Sequence, residues 1–68
     1  MNISARNQFS GTILSVTPGA VNATVKVNIG AGNIVTSSIT HEAIDDLGLT
    51  VGDTVTVIVK ASDVMIGK

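Results

Sequence analysis

A small, mainly β barrel of five strands, with one short helix between strands 3 and 4, is the fold class this sequence predicts. Two observations carry that expectation. Several stretches alternate apolar and polar residues with the period of a half-buried strand, and Gly-, Pro- and Asn-rich breaks separate them. A single stretch changes to helical spacing, and it falls between the third and fourth alternating runs.

Residues 8–16 form the first strand, with Phe9, Gly11, Ile13 and Ser15 on one face and Thr12 and Leu14 on the other. Thr17-Pro18-Gly19-Ala20 ends it, because Pro-Gly suits the centre of a type II turn. The clearest alternation follows: Val21, Ala23, Val25, Val27 and Ile29 face one way, and Asn22, Thr24, Lys26 and Asn28 the other. Gly30-Ala31-Gly32-Asn33 concentrates residues tolerant of positive φ, so the chain returns as a hairpin through a third strand over 34–39. Thr40 caps a helix over 41–47 with Ala43, Ile44 and Leu47 on its apolar face and Gly48 at C′. After a turn at Val51-Gly52-Asp53, the fourth strand alternates from Thr54 to Lys60, and Val64-Met65-Ile66 makes a short fifth. This strand count and helix placement match a five-stranded OB-type barrel, whose edges must close on each other or pair with another chain. Residues 1–68 read as a single domain without linker or repeat.

Composition then narrows the function. A chain of 68 residues buries only about 60% of its unfolded surface, so it needs a staple. There is no Cys for a disulfide or thiolate site, and one His cannot build a zinc cluster. The aromatic content is Phe9 alone, yet 44% of residues are hydrophobic and only 13% charged. Burial against copies of itself is the remaining route to stability, and a homo-oligomer is expected. A net charge of −1 and the missing aromatics argue against nucleic acid. No apolar run approaches the roughly 20 residues of a membrane-spanning helix, and the N-terminus lacks the features of a signal peptide, so a cytoplasmic protein is expected.

Catalysis finds little support. His41 is the one conventional general base and reads as an exposed residue at a helix start; Ser37, Ser38 and Ser62 sit in no nucleophile elbow. Gly30-Ala31-Gly32 lacks the Lys and hydroxyl of a P-loop. Asp45 and Asp46, adjacent on a helix, point in different directions and read as solvated charge rather than a site for a free metal cation. An enzyme and a cofactor are therefore not expected. Anion binding survives longer. Arg6, the only Arg, lies in Ser4-Ala5-Arg6-Asn7-Gln8, and Lys60 precedes Ala61-Ser62-Asp63; the pair is half of the 4 cations. Small hydroxyls and backbone N–H groups beside a cation suit a tetrahedral oxyanion. On these residues alone, two strand ends in solvent remain the simpler account.

Two segments together shift that balance. Ser4-Ala5-Arg6-Asn7-Gln8 and Val59-Lys60-Ala61-Ser62-Asp63-Val64-Met65-Ile66 resemble the molbindin family of small molybdate- and tungstate-binding proteins. Pro18-Gly19-Ala20-Val21-Asn22-Ala23, Gly32-Asn33 and Leu47-Gly48-Leu49 are also similar to it, so the resemblance covers essentially the whole chain. It implies an OB-like fold assembled as a hexamer, a trimer of dimers, holding molybdate or tungstate at subunit interfaces for intracellular storage or homeostasis. Carried over by motif, Ser4, Arg6, Thr40, Lys60, Ala61 and Ser62 would bind the oxyanion, some of them from a neighbouring chain. Arg6 and Lys60 would balance the dianion, Ser4, Thr40 and Ser62 would donate hydroxyls, and Ala61 a backbone N–H. A second class of site near the threefold axis would fall at Gly19, Ala20, Val21 and Asn22. Some relatives carry a hydroxyl three positions after the equivalent of Thr40; here Ala43 stands there, leaving one hydrogen bond absent or supplied by His41 or Glu42. The competing expectations are a self-assembling structural β module without a small-molecule ligand and an OB-type nucleic-acid binder.

Overall fold

The computed structural model describes residues 2–68. Among the described residues there are four strands: β1 (Asn7–Pro18), β2 (Asn22–Gly30), β3 (Asn33–Thr40) and β4 (Thr54–Val59). A single α-helix, α1 (His41–Leu47), lies between β3 and β4, and a 3-10 turn spans Ala61–Asp63. All pairings are antiparallel and the sheet order is β3-β2-β1-β4.

The 12-residue β1 organises the sheet because it belongs to two ladders. Its first half pairs with β4, from Asn7↔Val59 to Thr12↔Thr54, and its second half with β2, from Thr12↔Asn28 to Pro18↔Ala23. A bulge between Ile13 and Ser15 marks the changeover. There Ile13 donates its N–H to the Asp53 carbonyl at 3.0 Å and accepts from the Gly52 N–H at 2.9 Å, which stitches the turn before β4 onto β1. The bulge breaks the expected alternation, so Val16 packs against the core beyond it.

Ile13, Ala23, Val25 and Val27 are the fully buried residues. Val16, Ile29, Ile39, Ile44, Leu49, Val55 and Val57 pack around them half-buried. Gly11 sets how closely β1 approaches β2: a Cβ there would stand 2.6 Å from Val27 Cγ1 and 2.7 Å from the Asn28 carbonyl oxygen. Gly11→Val should therefore destabilise the chain by about 1–3 kcal/mol, as overpacked sites do. A thermal melt should fall by roughly 4–8 °C for each kcal/mol. An unchanged melt would mean the two strands separate there without cost.

The turns follow their residues in two cases and depart from them in a third. Ala31 (φ 52°) and Gly32 (φ 77°) both take positive φ between the paired Gly30 and Asn33, as a type I′ hairpin requires. Thr40 Oγ1 accepts the Ala43 N–H at 3.1 Å, and Gly48 closes the helix at φ 62° with N–H bonds from Gly48 to Asp45 and from Leu49 to Ile44. The expected type II turn at Pro18-Gly19 does not form: Pro18 is still paired with Ala23, and the connection is Gly19–Val21, closed by the Gly19 N–H to the Asn22 carbonyl at 2.9 Å. Val21, expected on the inner face of the second strand, sits in that connection and is 75% exposed.

The expected fifth strand is absent, and the barrel is not closed. Val64-Met65-Ile66 follows the 3-10 turn as unpaired chain, with Met65 and Ile66 more than nine-tenths exposed. The outer edges of β3 and β4 both remain unpaired among the described residues. Between them lies an open apolar cleft of about 620 Å³, floored by Ile13, Val25 and Val27 and walled by Ile39, Leu49 and Val57. Four strands of this length bend around the core without meeting. Leu47, placed by its spacing on the apolar face of the helix, reaches only the rim of the cleft and is 69% exposed.

Candidate oxyanion site

The register of β1 against β4 brings the two motif cations to one end of the sheet. Asn7↔Val59 is the outermost pair of that ladder, so Arg6 and Lys60 are the next residues beyond it on the two strands. Like charges across a strand pair are unfavourable unless something offsets them. Around them, Ser4, Ala61 and Ser62 line an open cavity of about 650 Å³, which a tetrahedral oxyanion would fill only in small part. Ile3, Ala5 and Ile58 supply its apolar wall, and Asp63 is the one carboxylate on its lining.

Local structure prepares donors at this cavity. Gln8 Nε2 donates to the Ala5 carbonyl at 2.8 Å, which shapes the bend that carries Ser4 and Arg6. On the facing side, Asp63 donates its N–H to the Lys60 carbonyl at 2.8 Å and Val64 to that of Ala61 at 3.3 Å. The first N–H groups of this turn, those of Ala61 and Ser62, are left without an acceptor among the described residues, as at any helical start without a side-chain cap. Two cations, two hydroxyls and two free backbone N–H groups thus share one concave surface. Ser4, Arg6, Lys60, Ala61 and Ser62 are all exposed in the single chain.

Thr40 is not part of this cluster. It pairs with Asn22, at the far end of β1 from Arg6, so the whole length of that strand separates it from the cavity. Its neighbours are instead the Gly19–Asn22 residues, which one short connection brings together. Sequence reasoning missed what holds them: His41, expected to be exposed, is half-buried and makes a 2.6 Å hydrogen bond from Nε2 to the Gly19 carbonyl. The signal was there in part, since a His directly after the helix cap is bound to lie beside whatever Thr40 pairs with. Among the described residues no group of three or more His, Cys, Asp or Glu could hold a metal ion, and no helix is long and apolar enough to cross a membrane.

Residues 3–66 match the TOBE domain family. The chain belongs to that family, as a member of the molbindin type. It is 45% identical to a probable molybdenum-pterin-binding protein of Haemophilus influenzae, covering 98% of this chain and 97% of that one. Its backbone follows that of a molybdate-binding protein from Sporomusa ovata with a TM-score of 0.92 at 34% identity, over the full length of both chains. It also follows the cytoplasmic molybdate-binding protein ModG, solved with molybdate bound, with a TM-score of 0.90 at 40% identity; there it covers 96% of this chain and 46% of ModG.

Proposed function

We propose that this chain is a non-catalytic binder of molybdate and tungstate, held in the cytoplasm for storage or homeostasis of the metal oxyanion. The observation that carries the reading is the gathering of Arg6 and Lys60, just beyond the last β1–β4 pair, on the lining of one cavity with Ser4, Ser62 and the free N–H groups of Ala61 and Ser62. Two like charges on the lining of one cavity favour a dianion there. Molybdate and tungstate are fully deprotonated near neutral pH and only accept hydrogen bonds, which this donor set satisfies. Monohydrogen phosphate would bring a proton with no favourable place except Asp63. The likeness to molybdate-binding proteins supports the same ligand.

In this reading the cavity is half of a site. A second copy closes it and brings Thr40, whose Oγ1 accepts from Ala43 and whose hydroxyl proton is free to donate to the ligand. The copies assemble as a homohexamer, a trimer of dimers. Unpaired β3 and β4 edges, the apolar cleft between them and the exposed Val64-Met65-Ile66 segment support assembly by addition of that segment to a neighbouring chain, which would complete the five-stranded OB-like barrel. The Gly19–Asn22 connection forms a second class of oxyanion site.

Isothermal titration with molybdate, and separately with tungstate, should show saturable binding above one oxyanion per chain. Absence of both heat and any melting shift would remove the proposal.

A further inference from the structure

The connection between β1 and β2 has its carbonyls occupied from within. His41 Nε2 binds the Gly19 carbonyl at 2.6 Å, the His41 backbone N–H approaches the Val21 carbonyl at 3.5 Å, and the Gly19 N–H takes the Asn22 carbonyl at 2.9 Å. The N–H groups of Ala20 and Val21 have no acceptor among the described residues. A segment whose acceptors are consumed and whose donors are spare is biased towards an anion. One residue supplies two of those three constraints, and it comes from the helix, not from the connection itself.

We propose that His41 is the positioning residue of a second oxyanion site, holding the Gly19–Val21 segment so that the Ala20 and Val21 N–H groups present themselves to the ligand. This rests on the reading of the chain as an oxyanion binder. His41 itself need not touch the anion. Because its acceptor is a carbonyl, the ring donates from Nε2, which both the neutral Nε2–H tautomer and the imidazolium can do; the contact does not depend on the ring's charge. The role is separable from the Arg6 cavity, since the length of β1 lies between them.

The test is molybdate titration of the wild-type protein, His41→Leu and His41→Gln, with native mass and thermal melts run alongside. Two classes of binding are expected in the wild type, one of them abolished by Arg6→Ala. His41→Leu should weaken the other class by about tenfold or more, the scale of one lost hydrogen bond to an ordered group, and leave the Arg6-dependent class in place. His41→Gln should restore most of the loss, because a glutamine amide nitrogen can reach the same carbonyl. Should His41→Leu fail to fold, the glutamine variant decides alone: retention of the second class supports the assignment, and its loss in a folded protein overturns it. Two unchanged classes in folded His41→Leu, or equal loss in both variants, also overturn it. A wild type with only the Arg6-dependent class removes the second site but leaves the proposed function standing, whereas a wild type that binds no oxyanion removes both.

Discussion

Arg6→Ala should weaken molybdate binding about ten- to a hundredfold. The side chain is the only guanidinium in the protein and lines the same cavity as Lys60, beyond the last β1–β4 pair. A charge-assisted hydrogen bond contributes about 1.5–3 kcal/mol, and each 1.4 kcal/mol is tenfold in affinity. A guanidinium also engages two oxyanion oxygens through a rigid planar fork, which an ammonium does not offer. The opposite sign is expected at Asp63, the one carboxylate of the cavity: Asp63→Asn should tighten binding by a few fold, within the roughly 0.2–1 kcal/mol of an exposed charge interaction. Titration calorimetry on both variants checks the pair. Arg6→Ala with wild-type affinity would displace the site from this cavity, whatever the fate of the ligand assignment.

Met65→Asp combined with Ile66→Asp should break the proposed assembly. In the single chain these side chains are 92% and 91% exposed, an unfavourable state for two large apolar residues. Full burial of each contributes about 1.5–3 kcal/mol, and a carboxylate forced into an apolar cleft would cost more than that gain. The expected result is a fall in native mass by light scattering, with a melting temperature lower by ten degrees or more, on the scale of roughly 4–8 °C per kcal/mol for a domain of this size. A double variant with the parent's mass and melt would show that the terminal segment is not what joins the copies.

Much of the fold was legible because its signals are local. The alternation from Ala23 to Ile29, the Ala31-Gly32 turn and the Thr40 and Gly48 caps each depend on residues a few positions apart, and each is found in the structure. What escaped depends on contacts that spacing does not encode. The bulge after Ile13 arises where β1 changes partners, which requires knowing that β4 and β2 share it. Val64-Met65-Ile66 has the composition of a strand, but composition does not supply an edge to pair with, and none among the described residues receives it. The candidate site divides the same way. Motif resemblance suggested the residues of the Arg6 cavity, and the ladder register explains why they gather. Register also explains why Thr40 is elsewhere: β3 returns it to Asn22, at the other end of the sheet. The His41 contact spans 22 positions and leaves no periodic trace.

The double membership of β1 has a consequence for the order in which the protein forms. Its pairing with β2 begins from residues only a few positions apart, so that ladder can zip from its turn at little entropic cost. Its pairing with β4 joins residues about fifty positions apart at Asn7↔Val59, and the chain between them must be ordered before the last pair is rewarded. The ladder end that juxtaposes Arg6 and Lys60 is thus the least local part of the sheet and the part charge repulsion most readily frays. An anion bound there would act as a clasp on the least local seam of the sheet. Amide exchange should register it first at Asn7, Gln8, Ile58 and Val59, well away from the core that surrounds Ile13.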